Sequence, residues 1–205
     1  MKISMINTGP LEVNTYYVAD ESAKKGFLVD PGGFDKSLAD MIRSDGVDLV
    51  YIVLTHGHSD HTGGVMPFLA EFPEAKLVAS THEKEMLKDA GMNFSNYFGE
   101  GITLEPDICV DDGEVLCVGG MSLKFIHTPG HSPGGLCVLV GDCLFSGDTL
   151  FNSSVGRTDF PGSSYDELKK SIHEKLFALP ENTRVLPGHM GETEIGYEMR
   201  HNPFV

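Results

Sequence analysis

The stretch Leu49-Val50-Tyr51-Ile52-Val53-Leu54-Thr55-His56-Gly57-His58-Ser59-Asp60-His61 joins an apolar run to a cluster of metal-binding residue types. Six apolar residues without interruption, 49–54, suit a strand buried on both faces. That strand delivers the chain directly into Thr55-His56. Histidine makes up 9 of 205 residues, so three of them within positions 56–61 is not what chance composition delivers. At a strand end His56 and His58, two residues apart, project to the same side, and Gly57 between them tolerates a sharp backbone path. Asp60 and His61 follow as the chain turns into the next helix, so four candidate ligands of borderline metals converge from one loop.

Three more candidates stand further along, each in a Gly-containing turn after an apolar run. They are His131 in Thr128-Pro129-Gly130-His131-Ser132-Pro133-Gly134-Gly135, Asp148 in Phe145-Ser146-Gly147-Asp148-Thr149, and His189 in Leu186-Pro187-Gly188-His189. A catalytic zinc usually takes three protein ligands and keeps one place for water. Seven candidates therefore divide as three, three and one shared carboxylate, which means two divalent ions bridged by Asp148. Zinc is the expected metal, with iron or manganese as alternatives.

Outward from the loop, the pattern predicts strands over 2–6, 15–19 and 27–30, then a helix over 35–44 that Gly46 closes. After the loop it predicts a helix over 64–71, a strand over 75–79 and a helix over 81–90 capped by Ser80 or Thr81. Strands over 115–118, 122–127, 135–140 and 142–146 read as a run of hairpins. The clearest amphipathic helix spans 164–179, with Leu168, Ile172, Leu176 and Leu179 at spacings of four, four and three. A strand over 184–186 and a helix over 192–200 complete the chain. Strands precede helices in each half, which points to an α/β fold of two packed sheets with helices outside, a four-layer αββα sandwich. With no linker or charge block, residues 1–205 are expected to form one domain, two similar halves packed face to face being the alternative.

A hydrophobic content of 40% and a charged content of 22% leave enough apolar material for a core. The formal net charge of -15 repels phosphate backbones, so no nucleic-acid partner is expected. Cys109, Cys117, Cys137 and Cys143 form no CxxC pair, and three of them lie in or beside apolar runs, so buried free thiols are expected. The start MKISMINTGP has no signal-peptide stretch and no segment has the ~20 apolar residues needed to cross a bilayer, so a cytoplasmic location away from the membrane is expected.

The ligand order His56-x-His58-x-Asp60-His61, His131, Asp148, His189 resembles that of the metallo-β-lactamase superfamily. The resemblance implies a first metal on His56, His58 and His131 and a second on Asp60, His61 and His189, with Asp148 between them. Asp60 is similar to the hydrolase branches that hold two metals. Within the superfamily the chain is most similar to glyoxalase II (hydroxyacylglutathione hydrolase), especially its short bacterial forms. Thr128 to Gly134, Gly156-Arg157-Thr158-Asp159-Phe160, and the tail from Ile195 to Phe204 carry that likeness. With 16 residues after His189 (205 minus 189), the helical C-terminal domain with which the longer glyoxalases II grip glutathione is not expected here.

The resemblance implies hydrolysis of a small thioester such as S-lactoylglutathione, with Asp60 and Asp148 as catalytic metal ligands. The absence of a Gly-x-Ser-x-Gly elbow agrees with a metal-activated water as nucleophile. The stretch from Gly156 to Phe160 also resembles persulfide dioxygenases, which would use His56, His131 and Asp148 around one iron. A phosphodiester hydrolase and a silent metal-binding module are weaker alternatives. Arg157 is either a salt-bridge partner of Asp159 or a residue of the substrate entrance. Tyr197 and Arg200, three apart on one helix face, are candidates to hold an anionic substrate group. Asp30 either stops a strand or fixes the metal loop by hydrogen bonds. His82, His127, His173 and His201 lack ligand partners; His173 is expected to face solvent and His127 to be a hydrogen-bonded rim or core residue.

Overall fold

The computed structural model describes residues 1–205 and places two six-stranded sheets face to face. The first takes its strands in chain order: β1 (Lys2–Thr8), β2 (Val13–Asp20), β3 (Lys25–Val29), β4 (Asp48–Val53), β5 (Lys76–Ser80) and β6 (Ile108–Val110). β1 to β3 pair antiparallel, whereas β3 to β6 pair parallel. Parallel pairs need crossovers. These contain α1 (Lys36–Ser44), the short α2 (Ser59–Thr62), α3 (Val65–Glu71) and α4 (Lys84–Lys88). The second sheet is built from β7 (Val115–Val118), β8 (Met121–His127), β9 (Leu136–Val140) and β10 (Cys143–Gly147) as consecutive antiparallel hairpins. A small hairpin, β11 (Leu150–Phe151) and β12 (Ser154–Val155), and α5 (Tyr165–Ser171) lead to β13 (Arg184–Pro187), which pairs parallel with β10. Finally β14 (Thr193–Glu194) closes the edge beside β13, and α6 (Ile195–His201) follows.

The period of two along each strand separates three cores. Tyr16 and Val18 of β2, with Val53 of β4, meet Leu136, Val138 and Phe145 of the other sheet in the central core. Tyr17 and Ala19 point the opposite way, where Leu28 and Ile52 pack under Leu38 and Ile42 of α1 and Phe68. On the far side, Cys137, Leu144 and Val185 receive Leu168, Ile172, Leu176 and Ile195. The result is the four-layer αββα sandwich, with β4 buried on both faces as its apolar run requires.

Local signals account for most boundaries. Asp35 caps α1 by accepting from the Leu38 N–H at 2.8 Å, and Gly46 follows its end at φ 62°. Ser164 caps α5 through the Glu167 N–H, and Ser80 accepts from the His82 N–H. Two expected helices are reorganised. The segment predicted over 81–90 is a 3-10 turn, Thr81–Glu83, followed by the five residues of α4. The helix predicted over 164–179 widens after Ser171 into a π-turn, Ile172–Leu176, whose Ile172 and Leu176 stay in the core. The helix predicted over 192–200 begins only at Ile195, because Thr193 and Glu194 pair with Val185 and Arg184. Cys137 and Cys143 are buried free thiols, but Cys109 is half-buried and Cys117 exposed, since β6 and β7 are edge strands with one open face. No helix is long and apolar enough to cross a membrane.

Candidate metal centre

The seven candidate ligands come from loops at the carboxyl ends of four strands: β4, β8, β10 and β13. Backbone hydrogen bonds tie these ends together, one across the two sheets and one within the second. Leu136 N–H donates to Thr55 O at 2.7 Å, and Gly188 N–H donates to Gly147 O at 2.9 Å. Loops that begin far apart in sequence are thereby fixed around one floor.

Two triplets of ligand atoms result. His56, His58 and His131 bring ring nitrogens within 4.8 Å of one another, with His58 Nδ1 to His131 Nε2 at 2.9 Å and His131 Nε2 to His56 Nε2 at 3.2 Å. Asp60, His61 and His189 form the second, with Asp60 Oδ2 lying 3.3 Å from His189 Nε2 and 3.7 Å from His61 Nε2. Asp148 stands between them: Oδ1 is 3.3 Å from His61 Nε2, while Oδ2 is 3.6 Å from His131 Nε2.

The imidazoles are oriented from behind. His61 Nδ1–H donates to Asp30 Oδ2 at 2.9 Å, and His131 Nδ1–H donates to the Arg157 carbonyl at 2.8 Å. Thr55 spends its hydroxyl proton on Asp30 Oδ2, so its oxygen accepts from His56 Nδ1–H at 3.2 Å. Each bond turns the ring so that Nε2 faces inward, where a cation would be held. Asp30 also accepts from the Thr55 N–H and sits at φ 48°, a left-handed conformation unusual for Asp. It therefore does more than end β3. Although Asp30, His56 and His61 also group closely, the carboxylate is spent on Thr55 and His61.

His61 Nε2 and Asp148 Oδ1 are buried and have no hydrogen-bond partner. Such atoms cost roughly 1–3 kcal/mol each when left unpaired. A divalent cation satisfies both, so the donor set fits a metal. Gly188 is required here, since a Cβ would lie 2.6 Å from both Asp148 Oδ1 and His61 Cε1.

The charges differ between the triplets. Burial pushes His58 down to about 3 and His56 well below its ordinary value, helped by the neighbouring imidazoles. Burial acts the same way on His61, but Asp148, Asp60 and Asp30 outweigh it and raise its pKa. His189 is raised by its hydrogen bond to Asp60. Burial opposes ionisation of Asp60 and Asp148, yet the surrounding histidines hold both below the usual carboxylate range.

Glu83 is a residue that sequence reasoning missed. Its carboxylate is buried and accepts from the Gly57 N–H at 2.9 Å and the Gly134 N–H at 2.6 Å. One side chain thus clamps the loops bearing His56, His58 and His131. Its only sequence signal is an acid directly after a strand and a Ser cap.

Above the ligands lies a cavity of about 580 Å³ lined by His58, Asp60, His131, Asp148 and His189 together with apolar side chains. Arg157 lines its rim and also makes a bidentate pair with Asp159 at 2.9 and 2.8 Å, so both expectations for it describe part of its setting. Tyr197 and Arg200 lie outside this cavity. Arg200 pairs with Glu181 and Tyr197 packs on His201, while α6 turns Glu198 inward to accept from Thr193, Ser153 and Asn202. Among the remaining histidines, His127 sits at the rim, donating through Nε2 to the Pro133 carbonyl, and His173 is exposed.

The profile of the "Metallo-beta-lactamase superfamily" matches residues 8–189. The chain belongs to this superfamily. Among curated members, it is 37% identical over 210 residues to the "Probable metallo-hydrolase YqgX" of Bacillus subtilis, covering 100% of this chain and 98% of that one. It is 32% identical over 210 residues to "Hydroxyacylglutathione hydrolase GloC" of Haemophilus influenzae, with the same two coverages. Among solved superfamily structures, the BLEG-1 B3 metallo-beta-lactamase has a TM-score of 0.91 at 36% identity, covering 99% of each chain. TTHA1623 in a di-iron-bound form has a TM-score of 0.85 at 33% identity, covering 98% of this chain and 100% of that one. ETHE1 from Myxococcus xanthus has a TM-score of 0.83 at 27% identity, covering 99% and 84%. As a superfamily member with clustered His and Asp groups, the chain is assigned to the metallo-hydrolases.

Proposed function

We propose that this chain is a glyoxalase II-like hydrolase of small thioesters that works with two divalent metal ions. The observation that carries the reading is the second triplet, Asp60, His61 and His189, complete beside the first and joined to it by Asp148. His56, His58 and His131 would hold one ion and Asp60, His61 and His189 the other, with Asp148 shared. When bound, such ions supply Lewis acidity and bring the pKa of a water towards neutrality. Asp60, ionised at neutral pH, can also accept a proton-side hydrogen bond from the attacking water and aim it at the carbonyl.

No cysteine lines the pocket, and burial pushes the Cys137 thiol up to about 11, far from a reactive thiolate. The likeness to GloC supports a hydroxyacyl-thioester substrate, and the di-iron TTHA1623 supports a pair of ions while keeping iron beside zinc and manganese as candidates. The acidic surface argues for a small-molecule partner over nucleic acid.

The second reading is a mononuclear iron persulfide dioxygenase on His56, His131 and Asp148, favoured by the likeness to ETHE1. It leaves Asp60, His61 and His189 without a task. Elemental analysis of the purified protein, paired with thiol release from S-lactoylglutathione and acetyl thioesters, separates the two. Two ions per chain with thiol release are expected; one iron with persulfide-dependent oxygen uptake and no thiol release contradicts the proposal.

A further inference from the structure

Resting on the thioester reading, we infer that the substrate of this site carries an apolar group next to its reactive carbonyl. The wall beside the first triplet is aromatic. Phe94 and Phe160 place their rings 5.3 and 5.2 Å from that of His58, and 4.9 Å from each other. Phe160 also reaches the His131 ring at 6.1 Å. His58 Nε2 is buried beside these rings and makes no hydrogen bond to the protein.

The mouth continues the same chemistry. Tyr97 is 80% exposed and Met190 57%, and Leu11 and Phe98 are likewise open to solvent along the same cavity. Large apolar side chains gathered at one opening of a strongly acidic protein mark a surface that gains by being covered. A 580 Å³ cavity suits a small organic group.

Arg157 is the only Lys or Arg that lines the cavity. Asp159 holds two of its N–H groups and one face of the guanidinium lies 4.5 Å over the Phe160 ring, so its stem and face extend the aromatic wall. Apolar surface buried on the wall gains up to about 0.8 kcal/mol per methylene, roughly four-fold in binding.

The test uses the native metal-loaded protein and two substrate series. One varies the acyl group from acetyl through butyryl and hexanoyl to phenylacetyl on N-acetylcysteamine; the other keeps acetyl and varies the thiol from N-acetylcysteamine to hexanethiol, benzyl mercaptan and glutathione. In at least one series kcat/KM is expected to rise by about ten-fold or more with apolar size, and the series that rises tells on which side of the carbonyl the wall acts. Calorimetry with unreactive thioethers, S-hexyl against S-methyl N-acetylcysteamine, reads binding without turnover and should show the same order. The variants F94A and F160A should flatten the apolar slope. Flat slopes in both series overturn the inference while leaving thioester hydrolysis intact. Failure to release thiol from any member overturns the thioester reading itself.

Discussion

The two ligand triplets share one floor yet are prepared in opposite ways. Around His56 and His58, burial and the neighbouring imidazoles outweigh the nearby carboxylates and drive both histidines to the neutral state. Around His61 and His189 stand the carboxylates Asp60 and Asp148, with Asp30 behind His61, and these raise both histidines. The first triplet therefore presents lone pairs at neutral pH, whereas the second presents compensated charge and must release protons to admit a cation. The loop supplies both kinds of ligand within six residues. What separates them is the carboxylates gathered on one side: Asp30 just after β3, Asp60 in the loop itself and Asp148 just after β10.

Asp148 is where this contrast breaks most completely. D148N removes the charge that faces both triplets, and activity on any substrate the enzyme accepts is expected to fall by about three orders of magnitude, given that metal-held charge stabilisation is worth several kcal/mol. Elemental analysis should find fewer than two ions per chain. Asp30 sharpens the contrast instead. D30N weakens the carboxylate behind His61, and the second ion is expected to bind roughly ten- to a hundred-fold more weakly, with a smaller loss at the first through Thr55 and His56. Competition with a chelator of known affinity reads this.

Glu83 tests the opposite asymmetry. E83Q leaves one oxygen where two backbone N–H groups need acceptors, the donors being on Gly57 and Gly134. A stability loss of about 2 kcal/mol is expected in chemical denaturation, with the loops of the first triplet the ones loosened. The smallest effect is that of pH. His61 and His189 are raised, so in metal-free protein they keep protons to higher pH than an ordinary histidine. An incoming second ion displaces them, and its apparent affinity should climb by up to about ten-fold per pH unit for each proton displaced, levelling above the raised values. His58, lowered to about 3, and His56 have no proton to surrender near neutrality, so the first ion should show a shallower slope.

Much of this was legible in the sequence, for physical reasons. The run before His56 suits a strand between two packed faces, and β4 holds that place, with Leu49 and Ile52 in one core and Val53 in the other. The ligand residues were legible because three histidines in six positions have no structural purpose and because His131, Asp148 and His189 each end an apolar strand. Illegible were the strands too short for any pattern, such as β6, β11 and β14. Tyr197 and Arg200 share a helix face, as spacing shows, but spacing does not say which way that face looks; Glu198 holds the inward position instead. Glu83 was hidden because its partners are backbone groups of two loops that meet only after folding.

The most direct test is a stepwise titration of metal-free protein with cobalt(II) at several pH values, following the absorption of the bound ion and heat together, for the native chain and D148N. Two binding events per chain are expected, the weaker one steeper in pH, with the pair reduced in D148N. A single event in the native chain, or two undisturbed events in D148N, contradicts a shared carboxylate holding two cations.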